Sequence, residues 1–416
     1  MRSFSFYTIL LLCVIIVIVD SLAFYWLQSI TQLVESTLFT NLVNVLFWTF
    51  TVGLISAILI LRVRMRAIMV ERRQFLVTSL YGLTVSSVVP KIVFVVIISI
   101  LYFSNYIFSE TASLIVVPIV GLMAGFLPFF MIVFAIFKSL YRFKVYHKTI
   151  HHKDLPESFD GLKLVHISDL HVGSFRYRYK ILERAVALIN DLEADFIFFT
   201  GDLVNNHAWE LRGWDEVLGK LSAKKGKFSV LGNHDYGDYS AWKSKEDKKA
   251  NFEEIKSFYA KIDFKLLLNE GCVITENNQK IAILGVENWG VPPFRQNGDL
   301  KKALKEVADI PFKILLSHDP SHWDQEVLID SDITLTLSGH THGMQAGIKI
   351  LGKQWSPIQY KYKRWAGLYQ VKNQYLYVTR GLGWLGFPGR MGMRPEITLI
   401  KLKKESNILK TEVNKS

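Results

Sequence analysis

Cysteine is scarce in this sequence, which has two among its 416 residues. Cys13 lies within an apolar run and Cys272 in the more polar half, and their separation does not match a metal-binding pair. A disulfide framework is therefore disfavoured, and so is a metal site built on thiolates. Carboxylates and imidazoles remain as the candidate metal ligands.

Dense basic segments are also missing, although 49 Lys and Arg against 37 Asp and Glu give a net charge of +12. The excess is scattered along the chain, and no Lys/Arg-rich arm or RNA-type motif with interleaved aromatic residues appears. The charge pattern therefore disfavours nucleic acid as a partner.

Charged residues are few in the first 148 residues, where four apolar stretches each approach or exceed the ~20 residues that a membrane-crossing helix needs. The stretches lie at 7–27, 40–61, 81–103 and 112–137. Helices buried in a soluble protein would keep a polar face, which these runs lack. We therefore expect a transmembrane helical region over 1–148, a soluble domain over 149–405 and a polar tail over 406–416.

Lys and Arg cluster on one side of these predicted spans. The basic residues after the second and fourth spans are Arg62, Arg64, Arg66, Arg72, Arg73, Lys138, Arg142, Lys144 and Lys148. The other two links have Glu35 and Glu110 as their charged residues. Because cytoplasmic loops are enriched in Lys and Arg, we predict a multi-pass protein of the inner or cytoplasmic membrane, with its soluble domain in the cytoplasm.

Two ionisable residues, Asp20 and Lys91, fall within or at the edge of the predicted spans. An intramembrane charge is costly and can mark an ion path or an intramembrane pair. Alternatively, Asp20 lies at the interface, and Lys91 beside Pro90 snorkels or becomes neutral. The sequence favours the second interpretation.

From residue 161 onward, short β-rich runs alternate with helical stretches, which is typical of an α/β domain. The predicted strands are 161–167, 195–200, 227–231, 280–284, 313–316, 332–337, 374–379 and 396–402, and the first predicted helix is 179–192. Polar motifs follow five of the strands: S-D-L-H at 168–171, T-G-D at 200–202, G-N-H-D at 232–235, S-H-D-P at 317–320 and S-G-H-T-H at 338–342. Strand ends converge on the ligand crevice of an open α/β sheet, so we expect these side chains to meet.

The residue types in these motifs suit a pair of first-row divalent metal ions. Carboxylate oxygens and imidazole nitrogens without thiolate favour Mn, Fe or Zn over Ca or Mg. Asp202, between the first and last motifs, is the natural bridge, and Gly201, Gly232 and Gly339 would relieve crowding of the backbone. A lone Asp or His at a strand end is more often a cap or a surface residue, but five such motifs in series predict a dinuclear site.

The ordered motifs D-x-H, G-D, G-N-H-D, H and G-H-x-H resemble the calcineurin-like metallophosphoesterase superfamily over roughly 160–402. The S-D-L-H, H-x-P and S-G-H-T-H-G motifs and R-P-E-I at 394–397 are similar to its membrane-associated branch, which includes lipid A-pathway UDP-2,3-diacylglucosamine pyrophosphatases. G-M-Q at 343–345 departs from the G-G-Q common in that branch. The resemblance implies a four-layer α-β-β-α sandwich after the N-terminal spans.

The resemblance also assigns roles to the motif residues. Two divalent metal ions would be held by Asp169, His171 and His342 on one side and by Asn233, His318 and His340 on the other, with Asp202 as the bridge. His234 would be an acid or a transition-state stabiliser. Asp235 is predicted to orient the His234 ring, with a simple turn residue as the alternative. The two ions would activate a hydroxide that attacks phosphorus in line.

These features predict a membrane-anchored hydrolase of phosphoester or pyrophosphate bonds, with a lipid-linked substrate such as UDP-2,3-diacylglucosamine as the favoured hypothesis. One alternative is a phosphodiesterase acting on soluble nucleotides or phosphoproteins, and another is a non-catalytic membrane sensor with a metal-binding domain. Arg176, Arg178, Arg390 and Arg394 are candidates to bind a substrate phosphate, against the alternative of generic surface charge.

Overall fold

The computed structural model describes residues 5–31, 34–65, 67–108, 113–351 and 353–405. Arg66, Glu110 and the predicted tail at 406–416 lie outside these ranges. Contacts divide the chain into two compact units, one of residues 2–138 with 386–389 and one of residues 139–385 with the segment from 390 onward.

The first unit consists of long apolar helices. They are α1 (Phe6–Thr31), α2 (Thr37–Arg64), α3 (Val70–Phe108) and α4 (Ser113–Phe137). All four are long and apolar enough to cross a membrane, as the sequence predicts. Helix α3 begins before the predicted apolar stretch at 81–103. Its first turns are polar, so hydropathy alone does not reveal that they are helical. Glu71 in the first turn of α3 also suits the positive end of the helix dipole.

The second unit is an α/β domain. Its strands are β1 (Lys144–His152), β2 (Lys163–Ile167), β3 (Phe196–Phe199), β4 (Gly226–Ser229), β5 (Lys265–Leu266), β6 (Glu270–Glu276), β7 (Gln279–Gly285), β8 (Lys313–Leu316), β9 (Leu335–Ser338), β10 (Ile348–Ile350), β11 (Lys353–Trp355), β12 (Gly367–Val371), β13 (Gln374–Val378) and β14 (Glu396–Lys404). Its helices are α5 (Val172–Phe175), α6 (Tyr179–Asn190), α7 (Asp215–Leu218), α8 (Lys245–Lys261), α9 (Leu300–Leu304) and α10 (Leu328–Asp330).

Two six-stranded sheets carry this domain, in the orders β1-β14-β2-β3-β4-β5 and β12-β13-β9-β8-β7-β6. Strands β2 to β5 run parallel, as do β7, β8, β9 and β13. Strands β10 and β11 form a separate two-stranded ribbon. In each large sheet the parallel strands therefore end at one edge, which is where the motif residues begin.

The two large sheets face each other across an apolar core. Phe196 and Phe198 of β3 pack there with Ile283 of β7 and Ile314 of β8, all of them buried. Helices α6 and α8 cover the outer face of the first sheet, and α9 with the segment around Trp323 covers that of the second. This arrangement confirms the predicted four-layer α-β-β-α sandwich.

Strand β1 is an element that the sequence analysis did not predict. It pairs in parallel with β14 along nine residues, from Lys144 opposite Glu396 to His152 opposite Lys404. Strand β1 is an edge strand whose side chains are mostly exposed or half-buried, so its sequence has no apolar run. From the sequence alone, its basic residues resemble those that flank a membrane span. The boundary proposed after residue 148 falls inside this strand, and the compact unit begins at Ser139.

Candidate metal centre

The polar motifs meet at the carboxyl ends of five strands. Strands β2, β3 and β4 of one sheet precede Asp169, Asp202 and Asn233, and strands β8 and β9 of the other precede His318 and His340. Two groups of candidate ligands form there, and within each group the ligand atoms, one from each residue, lie within 4.8 Å of one another. The first group is Asp169, His171 and His342, and the second is Asp202, His318 and His340. Residues up to 173 positions apart in the chain thus share one site.

In the first group, two imidazole nitrogens face each other. His171 Nε2 lies 3.1 Å from His342 Nε2, and His342 Nε2 lies 3.3 Å from Asp169 Oδ1. The other nitrogen of His171, Nδ1, lies 3.2 Å from the Val204 carbonyl oxygen and therefore carries the proton. The Nε2 lone pair of His171 is then directed into the group, which is the orientation that a metal ligand requires.

The second group repeats this pattern. His318 Nδ1 lies 2.6 Å from the Thr200 carbonyl oxygen, which leaves Nε2 as the ring nitrogen that faces inward. His340 Nδ1 lies 2.8 Å from Asn233 Oδ1 and 3.3 Å from His318 Nε2. The outer nitrogen of His340, Nε2, lies 2.7 Å from the Tyr362 hydroxyl. Lone pairs of several residues therefore converge where a cation would stabilise them.

Asp202 lies between the two groups. Its Oδ2 atom is 3.5 Å from His171 Nε2 and 3.3 Å from His318 Nε2, one histidine from each group. Its Oδ1 atom accepts a hydrogen bond of 2.9 Å from the His234 backbone N–H. One carboxylate is thus fixed by the backbone while its second oxygen faces both sets of nitrogens, which is the geometry of a bridge.

The backbone at these positions is strained. Asp169, His171, Asp202, His340 and His342 all have positive φ, between 46° and 70°. Non-glycine residues rarely adopt this left-handed conformation, which costs about 1–3 kcal/mol where the surroundings enforce it. Five strained residues within one cluster are characteristic of a functional site, where side-chain direction outweighs backbone preference.

Two glycines allow the strand ends to approach. A Cβ atom on Gly232 would overlap Asp202 Oδ1, and a Cβ atom on Gly339 would overlap Ser168 Oγ and Asp169 Oδ2. Only glycine therefore fits beside these carboxylates, as the sequence analysis expected.

Burial keeps most of the imidazoles neutral. It lowers the pKa of His171 to about 3 and that of His340 to about 4. Asp169 responds in the opposite direction, because burial together with the charge of Asp202 raises its pKa to about 7. The pKa of Asp202 is instead held well below its ordinary value, because the neighbouring His318 and His234 outweigh the effect of burial. Burial alone would also lower the pKa of His318, but the carboxylates of Asp202 and Asp169 raise it to about 10. The cluster therefore attracts positive charge, and its donor set of carboxylate, amide and imidazole groups fits divalent metal ions.

The structure corrects the expected partner of His234. Its Nδ1 atom lies 2.8 Å from the Asn205 carbonyl oxygen, so this backbone group, not Asp235, orients the ring. Asp235 is fully buried and accepts backbone N–H bonds from Asp202, Leu203, Val204 and Gly232. Its carboxylate therefore shapes the strand ends that present Asp202.

Glu210 is a positioning residue that the sequence analysis missed, and Asp319 is a second buried carboxylate beside the site. The buried Glu210 carboxylate accepts N–H bonds from residues 205, 206 and 207, and so fixes the loop whose carbonyl holds His234. Asp319 Oδ2 lies 3.5 Å from His340 Nε2. The adjacency of Asp319 to His318 was an available signal, whereas Glu210 lies outside every motif.

The four candidate arginines occupy different environments. Arg390 is fully buried and donates to the carbonyl oxygens of Gly383, Met393 and Arg380, with one nitrogen 3.3 Å from His342 Nδ1. Arg394 donates to the carbonyl oxygens of residues 142 and 143. Arg178 is exposed and donates to the Tyr141 hydroxyl, and Arg176 is exposed. The guanidinium of Arg390 therefore supports the protein itself, contrary to the open phosphate ligand that we expected.

Known proteins are similar to this chain in sequence. The calcineurin-like phosphoesterase family model matches residues 162–344. A Danio rerio transmembrane protein with metallophosphoesterase domain is 34% identical over 258 residues, which are 60% of this chain and 55% of that protein. The chain thus spans about half the length of that relative.

Two bacterial relatives are matched over more of their length. The Bacillus subtilis uncharacterized metallophosphoesterase YkuE is 32% identical over 61% of this chain and 84% of its own. The Escherichia coli phosphodiesterase YaeI is 28% identical over 62% of this chain and 86% of its own. In all three cases the match covers about three fifths of this chain.

Proposed function

Because the chain belongs to the calcineurin-like phosphoesterase family, we propose that it is a hydrolase that cleaves a phosphodiester or pyrophosphate bond at the cytoplasmic surface of a membrane. The observation that carries this proposal is the convergence of two ligand groups on the Asp202 carboxylate. The name of the Escherichia coli relative, a phosphodiesterase, also supports a diester substrate.

We assign Asp169, His171 and His342 to one metal ion and Asn233, His318 and His340 to the other, with Asp202 shared. Two divalent ions, of Mn, Fe or Zn, would supply Lewis acidity toward the phosphoryl oxygens and the attacking water. Asn233 suits this role because its amide nitrogen donates to the Tyr239 hydroxyl at 2.9 Å, which leaves the amide oxygen directed at His340.

His234 is the residue that we assign to proton transfer. With its Nδ1–H donated to the Asn205 carbonyl, Nε2 is the atom that can reach a substrate oxygen. The ring lies perpendicular to His171, with centroids 5.0 Å apart, and is therefore beside the first group. In its protonated form, His234 would stabilise the charge that develops on the phosphoryl group or would protonate the leaving oxygen.

A lipid-linked substrate is the favoured hypothesis. Four apolar helices tether the domain to a bilayer and so raise its effective concentration toward molecules embedded there. The proposed orientation is supported by Arg62 and Arg64 at the end of α2 and by Arg72 and Arg73 at the start of α3. Such basic residues favour the cytoplasmic side, and two further spans, α3 and α4, would return the chain to that side before the second unit.

One experiment with sealed vesicles tests both activity and orientation. The probe is bis-p-nitrophenyl phosphate, a diester that does not cross membranes, supplied with Mn²⁺ to the full chain in inside-out and right-side-out vesicles. We expect hydrolysis sensitive to EDTA in inside-out vesicles at once, and in right-side-out vesicles only after detergent is added. Activity in intact right-side-out vesicles would reverse the orientation, and absence of EDTA-sensitive activity after detergent would favour the non-catalytic sensor.

The same preparation separates the substrate hypotheses. If the substrate is lipid-linked, a nucleoside diphosphate diacyl lipid should be cleaved with a kcat/KM roughly ten- to hundredfold above that of its water-soluble head group, because tethering favours encounter. Equal values for the two would favour soluble nucleotides. The diacyl chains are the only difference between the two compounds, so the comparison controls for chemistry.

A further inference from the structure

An ion pair lies deep within the helical unit. Lys91 Nζ in α3 donates to Asp20 Oδ1 in α1 at 2.8 Å, and the Thr51 hydroxyl in α2 donates to the second oxygen of Asp20. Each residue is near the middle of its helix. The sequence favoured separate interfacial or snorkelling placements, whereas the structure shows the two side chains in a direct ion pair near the middle of their helices.

The two charges differ in their surroundings. The Asp20 side chain is fully buried, whereas the Lys91 side chain is 19% exposed. Lys91 Nζ also lies 4.7 Å from the ring centre of Phe47 and 5.6 Å from that of Phe50. Within the residues that the structure describes, the Lys91 ammonium donates one hydrogen bond, to Asp20. An ammonium has three hydrogens to donate, so it can bind a further acceptor.

Lys91 lines an open cavity of about 510 Å³ among the four helices. Its lining is apolar apart from Lys91, Ser86 and Ser87, and includes the aromatic rings of Phe47, Phe50 and Phe94. The Ser86 hydroxyl donates to the Gly82 carbonyl within α3. The volume is within the range of pockets that hold small organic ligands, about 300–1,000 Å³. Lys91 is thus the charged hydrogen-bond donor in the lining of a largely apolar space.

We infer that this cavity binds a long-chain fatty alcohol, an amphiphile with one neutral oxygen acceptor. The chain would pack on the aromatic and aliphatic lining, and the oxygen would accept from the Lys91 ammonium. A neutral acceptor is favoured because Asp20 already balances the charge of Lys91, and a second carboxylate would be repelled by Asp20. This binding does not depend on the proposed hydrolysis, since every residue involved belongs to the helical unit.

A photoreactive probe tests the inference. The full chain in phosphatidylcholine nanodiscs is labelled with hexadecanol carrying a mid-chain diazirine, in competition with unlabelled hexadecanol or hexadecane. We expect hexadecanol to displace the label at a concentration about tenfold lower than hexadecane, because the alkane cannot accept the charge-assisted hydrogen bond. General contact with lipid would give labelling that both compounds displace equally, which would overturn the inference.

Variants of the lining locate the bound probe. Ser87→Phe fills the cavity and should reduce the displaceable labelling at least fivefold, whereas Ser56→Phe, on an exposed part of α2, should leave it unchanged. Lys91→Met should remove the advantage of hexadecanol over hexadecane. The double variant Asp20→Asn/Lys91→Met should lose the same advantage of hexadecanol over hexadecane. It serves as a control because it leaves no buried carboxylate unpaired. Labelling that survives Ser87→Phe contradicts a site in this cavity, and an advantage of hexadecanol that survives both Lys91 variants contradicts its proposed donor.

Hydrolysis of bis-p-nitrophenyl phosphate is measured on each variant as a check of the soluble domain. Loss of selective labelling with intact hydrolysis supports the cavity and leaves the proposed function in place. Selective labelling by a protein that does not hydrolyse the diester would also support the cavity, and would count only against the proposed function.

Discussion

Asp202→Ala is expected to reduce EDTA-sensitive hydrolysis of bis-p-nitrophenyl phosphate by at least about 10³-fold, more than the 10- to 100-fold typical of residues that only support a metal ligand. The reason is its position: one carboxylate oxygen lies 3.3–3.5 Å from a histidine nitrogen of each ligand group. Removing it takes a shared ligand and a negative charge from both proposed ions. The measurement is kcat/KM of the detergent-solubilised chain with saturating Mn²⁺.

Two controls make this result interpretable. Asp202→Asn keeps an oxygen that can accept from the His234 backbone N–H but loses the charge, so its activity should fall between wild type and Asp202→Ala. Asp191→Ala changes an exposed aspartate at the end of α6 and should be neutral. If Asp202→Ala hydrolyses the diester as fast as wild type, the proposed active site is wrong.

His234→Gln is expected to lower kcat by roughly 10²- to 10⁴-fold, the range for loss of a general acid or of a donor to developing charge. In contrast to Asp202→Ala, it should leave the content of bound metal unchanged, because its Nδ1 faces the Asn205 carbonyl and the ring lies beside the ligand groups. The loss should be greater for a diester with an alkyl leaving group than for a p-nitrophenyl ester. A poor leaving group depends more on protonation, so this difference identifies the proton donor.

A matched control for this variant is His151→Gln, at an exposed position of β1. It should retain the activity of wild type with both substrates. If His234→Gln instead loses metal, and loses activity equally with both leaving groups, His234 is a structural residue and proton transfer must be assigned elsewhere.

Much of the fold and of the candidate site follows from local sequence patterns. The strands around the motifs are short runs of large apolar residues, such as the four buried residues of β3, and glycine and polar residues mark where they end. Because the carboxyl ends of parallel strands converge, the sequence alone predicts that Asp169, Asp202 and His318 lie close together. Strand β1 was missed because an edge strand rich in Lys and His carries no apolar signal.

The contacts that sequence reasoning missed depend on tertiary structure. The partner of His234 is a backbone carbonyl at Asn205, and no side-chain identity reveals such a contact. Arg390 lies in a Gly- and Pro-rich segment that resembles a surface loop, yet it is buried with its donors directed at carbonyl oxygens. Asp20 and Lys91 form an ion pair although they are 71 positions apart in the sequence. Helix length and hydropathy do not indicate which residues of different helices are in contact.

The central claim is that side chains from five strand ends hold two metal ions around Asp202. Metal analysis of the purified full chain, combined with anomalous diffraction at the absorption edge of the metal found, tests it directly. The account predicts two divalent ions per chain, about 3.5–4 Å apart, on either side of the Asp202 carboxylate. Fewer than two ions, or anomalous peaks away from this carboxylate after saturation with Mn²⁺ or Zn²⁺, would contradict it.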